Sequence, residues 1–171
     1  MRTFKLLLTV SMILCFAPAA FGCVCMGTTV EKSFTDKAAI FTGTFLRSEY
    51  RKGIRSDYLE MDFEYTGKRI DYEVMVNVFA SDRWWKGSWT REVVLITEQT
   101  RMADGSEGIP DCQLSFTVGR KYLVYAYGED DHLATSECSL TKRISRASKD
   151  IITLNKLTRP VAAKQNAKRE Q

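Results

Sequence analysis

The placement of the cysteines constrains this chain more than any other feature. Cys23 and Cys25 stand one residue apart, the only later cysteines are the isolated Cys112 and Cys138, and Cys15 lies in an apolar leader. A bridge between Cys23 and Cys25 would close a strained loop around a single residue, so each is expected to reach across the fold to Cys112 or Cys138. Four cysteines permit three pairings, and the spacing leaves the choice between the two long-range ones open. Closing loops of that length contributes about 4–5 kcal/mol per bridge in the chain-entropy account. A zinc site is the competing use of such residues, but the paired C-x-x-C spacing is missing and the chain has one histidine, His132.

The leader sets the compartment. Arg2 and Lys5 precede an almost unbroken apolar run from Leu6 to Ala20, and Ala20-Phe21-Gly22 offers the small residues a signal peptidase reads. The expectation is a signal peptide over residues 1–22, cleaved after Gly22, with Ala17-Pro18-Ala19 the next candidate site. The run is too short to span a bilayer comfortably, and no later segment is apolar enough to be transmembrane. Cleavage removes 22 of 171 residues and leaves 149, the size of one domain with a real core. Cys15 leaves with the leader, so an even set of four cysteines enters an oxidising compartment, extracellular or periplasmic. Losing Arg2 and Lys5 lowers the net charge from +4 to +2, too near neutral to argue for nucleic acid or an anionic membrane. A monomer is expected.

Hydrophobic periodicity predicts a mainly β chain with two short helices. Thr28-x-x-Glu31 resembles a capping box, and Val30 and Phe34 fall four apart behind it, giving a helix over about 29–37. Strands are expected over 39–46, with Gly43 a bulge or bend, over 57–64 and 71–79 as a hairpin about Tyr65-Thr66-Gly67-Lys68, and over 91–97, 121–127 and 132–136. Residues 103–110 read as a polar, glycine-containing loop. Ile144, Ala147, Ile151 and Leu154 repeat at helical spacing over about 144–157, and residues 158–171 read as a disordered tail. Five or six strands with two flanking helices, in one domain over 23–157, suit an OB-fold-like five-stranded Greek-key barrel.

Enzyme chemistry finds little support. His132 follows Glu129-Asp130-Asp131 in a turn and reads as a surface residue, and no phosphate loop, G-x-S-x-G or H-E-x-x-H is present. No catalytic residue and no cofactor of the protein's own is expected. Arg83-Trp84-Trp85-Lys86-Gly87 puts adjacent tryptophans near a strand end, where one ring points to the core and the other caps the end. The competing use of that pair is an exposed aromatic contact for a protein partner. Tyr122-Leu123-Val124-Tyr125-Ala126-Tyr127 is a core strand rather than a stacking platform, because it lacks the basic face of nucleic-acid binders.

The new terminus is the remaining candidate. A free α-amine has a pKa of about 7.7–8.0, so a useful fraction is neutral near neutral pH and able to ligate a metal. The Cys23 carbonyl oxygen completes a five-membered chelate with that amine. Clamped by a disulfide, such a chelator suits an open coordination position on another protein's zinc.

Cys23-Val24-Cys25 directly after a leader resembles the start of the tissue inhibitors of metalloproteinases, within the netrin-like OB-fold group. The likeness continues through Phe34 and Asp36, Gly43-Thr44-Phe45, Tyr72-Glu73-Val74, Trp85-Lys86-Gly87, Cys112, Tyr122-Leu123-Val124, Leu133-Ala134-Thr135 before Cys138, and the helix near Ala147 and Leu154. The resemblance implies bridges Cys23–Cys112 and Cys25–Cys138. It implies that the Cys23 amine and carbonyl chelate the catalytic zinc of a target metalloendopeptidase, the one metal involved. Val24 would enter the adjoining specificity pocket, and Cys25 and Met26 would pack along the cleft. The chain departs from that pattern in four places. Val24 replaces the usual Thr or Ser, Met26-Gly27 replaces a proline-containing stretch, Thr35 stands where a third bridge would begin, and no second cysteine-rich domain follows. These departures resemble the single-domain, bacterial-type relatives. Two other functions compete: a non-inhibitory secreted binding module, and a lipoprotein anchored at Cys23. Ala20-Phe21-Gly22-Cys23 matches a lipobox weakly, and lipidation would leave three cysteines with one unpaired.

Overall fold

The computed structural model describes residues 23–52, 71–110, 112–129 and 132–169, with side chains as far as position 158. The expected leader 1–22, the strand over 57–64 and the turn at 65–68 lie outside the described residues. The described chain is mainly β with two helices.

Helix α1 spans Val30–Asp36 and is capped by Thr29, whose hydroxyl accepts the Lys32 backbone N–H at 3.2 Å. The expected capping box is therefore shifted by one: Thr28 instead meets the Ser33 hydroxyl at 3.4 Å. At the other end, the Lys86 ammonium donates to the carbonyls of Phe34 and Thr35 at 2.9 and 2.8 Å. It thereby pairs carbonyls that have no partner within the helix.

The strands are β1 (Ala39–Lys52), β2 (Tyr72–Lys86), β3 (Glu92–Met102), β4 (Glu107–Gly108), β5 (Lys121–Glu129), β6 (His132–Ala134) and β7 (Lys142–Arg143). Pairing runs β1-β2-β3-β6-β5 and returns from β5 to β1, so five strands close a ring. Every pair in the ring is antiparallel except β3–β6. The long strand β1 makes closure possible, because its first part pairs with β5 on one edge while its whole length pairs with β2 on the other. Bending between the two partners needs irregularity, and the β1–β2 register slips at Thr42/Gly43. A Cβ on Gly43 would lie 2.9 Å from the Ala80 carbonyl oxygen, so glycine permits the close approach.

Two cores flank the ring wall. Phe41, Phe45, Phe79, Val93, Leu95, Tyr122, Val124 and Leu133 fill the inside, with Phe41 stacked on Trp84 and edge-on to Phe79. Ile40, Trp85, Leu123, Tyr125, Ala147 and Leu154 form a second cluster, against which Val30 and Phe34 of α1 pack. Strands β1 and β5 are thus covered on both faces, which explains why Tyr122 to Ala126 is an uninterrupted apolar run.

Helix α2 covers the outer face. A 3-10 turn at Ile144–Arg146 precedes it, and the helix proper spans Ser148–Arg169. One expectation is corrected here: the helix over 144–157 is broken at Ala147, between the 3-10 turn and the helix proper. The Tyr125 phenol donates to Asp150 at 3.2 Å, and Lys142 pairs with the same carboxylate at 2.9 Å. Burial, then the charge of Asp150, pushes the Tyr125 phenol far above its ordinary pKa, so it remains a neutral donor.

Candidate functional site

Residues 23–29, ahead of α1, lie in neither helix nor strand. Cys23 is bonded to Cys112, with Cα atoms 5.7 Å apart, and Cys25 to Cys138, with Cα atoms 5.0 Å apart. Of the two long-range pairings that the spacing leaves open, this is the one the family resemblance implies. Cys23 is half-buried, whereas Val24, Cys25, Met26 and Gly27 are all exposed, Val24 to 97% and Met26 to 92%. The result is a ridge carrying two bare apolar side chains, held by sulfur at positions 23 and 25.

The loops that carry the two anchors make hydrogen bonds of their own. Cys112 follows the turn between β3 and β4 and the chain after β4. In that turn the Asp104 carboxylate accepts from the Ser106 backbone N–H at 2.9 Å and its hydroxyl at 2.6 Å. Those bonds hold the Asp104 carboxyl below its usual pKa. Cys138 sits in a mesh of hydroxyls: Thr135 meets Ser139 at 2.9 Å and Thr141 at 2.8 Å and donates to the Tyr125 carbonyl at 3.0 Å, while Thr141 accepts the Tyr125 N–H at 2.9 Å. The Glu137 N–H reaches the Cys112 carbonyl at 3.4 Å, linking the two anchor loops. Gln113, next to the Cys112 anchor, buries its side-chain oxygen Oε1 without a hydrogen-bond partner.

The tryptophan pair divides as the core reading expects. Trp85 is buried, its indole N–H donating to Asn155 at 2.8 Å beneath the Arg83 guanidinium, which lies 4.5 Å from the ring centroid. Trp84 is half-buried on Phe41 and donates to the Ser81 hydroxyl at 3.1 Å. The exposed tryptophan among the described residues is instead Trp89, 63% exposed in the β2–β3 connection. Its signal is the Gly87-Ser88 turn before it, where Gly87 has φ 94° and an L side chain is disfavoured. Ile109, exposed three residues before Cys112, was also missed because the loop around it reads as polar.

His132 is exposed at the first position of β6 and paired in register with Glu129. Among the described residues no group of three His, Cys, Asp or Glu side chains is placed to hold a metal, and no helix is long and apolar enough to cross a membrane. The two disulfides are consistent with an extracellular or periplasmic protein. No protein-family model matches the chain, and no curated protein matches it.

Proposed function

We propose that this protein is a secreted inhibitor of zinc metalloendopeptidases, a single-domain relative of the tissue inhibitors of metalloproteinases built on an OB-type Greek-key barrel. The observation that carries the reading is the ridge: a disulfide-clamped C-x-C with Val24 and Met26 almost wholly in solvent. The closed five-strand ring with a single parallel pair supports the barrel assignment.

The chemistry follows from the terminus. After cleavage behind Gly22, the Cys23 α-amine and carbonyl oxygen bind the target's zinc as a chelate and displace its water. Val24 then fills the adjoining pocket, with Cys25 and Met26 along the cleft. Rigid anchoring reduces the ordering that binding would otherwise require. A Cys23 sulfur bonded to Cys112 has no thiol to lipidate, which supports a free terminus over a lipid-anchored one.

The direct test is N-terminal sequencing of the exported protein followed by inhibition assays on a panel of zinc endopeptidases. Retaining one residue before Cys23, or acetylating its amine, is expected to abolish inhibition while leaving the fold intact. A blocked protein that inhibits as well as the free one overturns chelation. A second reading, a non-inhibitory binding module, draws on exposed Trp89 rather than on the largely enclosed Trp84-Trp85 pair. Absence of inhibition across the panel, with a specific partner lost on Trp89→Ala, decides for it.

A further inference from the structure

We propose that Met26 is an oxidation site, and that transfer of one oxygen atom from a peroxide to its thioether sulfur releases the inhibitor from its target. The release rests on the reading of residues 23–26 as a ridge directed at a zinc protease.

The ground is an exposed sulfur without a competitor. Met26 is 92% exposed, whereas the other described methionines, Met75 in β2 and Met102 in β3, are half-buried. A Cβ on the following Gly27 would meet no atom within 4 Å beyond its chain neighbours, so the backbone past Met26 also runs through open space. Peroxides ordinarily attack thiolates first, and the four described cysteines are all held in bridges. A thioether standing in solvent is the sulfur that remains.

The step balances with the peroxide alone. A sulfur lone pair attacks one oxygen of hydrogen peroxide, the O–O bond breaks, and the second oxygen leaves as water after a proton shift. Sulfur loses two electrons and the peroxide gains them. The product is a sulfoxide, polar and chiral where the thioether was apolar and flexible, and methionine sulfoxide reductases reverse it. A methionine packed in the core would lose stability on this change. Met26 packs on nothing, so the effect falls on binding: a sulfoxide oxygen carried into an apolar cleft loses its water without gaining a partner. The Cys25–Cys138 bond beside it prevents the ridge from retreating to keep that oxygen wet.

The test treats exported, processed protein with graded hydrogen peroxide, maps the added oxygen by peptide mass, and measures inhibition and unfolding on the same samples. The first oxygen is expected on Met26, with inhibition weakened roughly 10-fold or more and the unfolding midpoint unchanged. Treatment with methionine sulfoxide reductases is expected to restore inhibition. Met26→Leu, compared with itself before and after peroxide, is expected to show no change. First oxidation at Met75 or Met102, full conversion of Met26 with inhibition retained, or an equal loss in Met26→Leu overturns the proposal and leaves the zinc reading standing. An untreated protein that inhibits no zinc endopeptidase overturns both.

Discussion

Ile40, Phe41, Leu123, Val124 and Tyr125 are fully enclosed where β1 meets β5, whereas Val24 and Met26 stand almost bare on the N-terminal ridge. Both regions hold apolar side chains in fixed places, by different means. At the β1–β5 seam, two faces of one wall are covered, one by the ring interior and one by the helices, so position follows from burial. On the ridge, burial is absent, and the Cys23–Cys112 and Cys25–Cys138 bonds take its place. A segment positioned covalently can leave its hydrophobic surface free for a partner. A segment positioned by packing has already used its own.

That contrast is breakable by mutation, because stability and inhibition should respond in opposite orders. Phe41→Ala, which empties the ring interior and removes the stack on Trp84, is expected to cost about 3–5 kcal/mol in urea unfolding. Inhibition per folded molecule should be unchanged. If Phe41→Ala costs less than about 1 kcal/mol, the seam is not positioned by packing. The paired change Cys25→Ser with Cys138→Ser is expected to cost about 2–5 kcal/mol and to abolish inhibition as well, since it frees the ridge. Retained inhibition in that variant would show that the ridge is rigid without its second bond. Trp85→Phe keeps the ring in the core and removes the N–H donated to Asn155, for a loss of about 1 kcal/mol and no effect on inhibition. Val24→Ala should leave stability within about 0.5 kcal/mol of the parent. Its inhibition should fall about 10-fold or more, as for methylenes removed from a specificity pocket. A stability loss above 1 kcal/mol in Val24→Ala would mean that Val24 is packed and the ridge is not bare.

Inhibition should also strengthen as pH rises through the range in which α-amines ordinarily lose their proton, because only the neutral amine binds zinc. A flat profile between pH 6 and 8, with an unaltered target enzyme, would argue against the amine as a ligand.

Much of the fold was legible from residue order. The helix behind Thr29, the kink at Gly43, the buried run of β5 and the division of Trp84 and Trp85 between two environments all follow from periodicity and turn chemistry. The Thr28 cap missed by one because adjacent threonines are chemically equivalent as caps, and only backbone geometry selects between them. Strand β2 runs on to Lys86, beyond the predicted end at Phe79, because pairing with β1 continues through polar Ser81, Asp82 and Arg83. Periodicity sees apolar faces; it does not see ladders.

The sequence by itself determined that four cysteines follow the N-terminal apolar run, that strands dominate, and that Cys23 and Cys25 cannot sensibly bond to each other. Local chemistry is enough for each of these. Tertiary structure decided which distant cysteine each one meets, that Val24 and Met26 point to solvent while Trp85 does not, and that Gln113 hides an oxygen without a donor. Those outcomes depend on how the ring closes and where its loops converge, and residues about 90 or more positions apart carry no local record of that meeting.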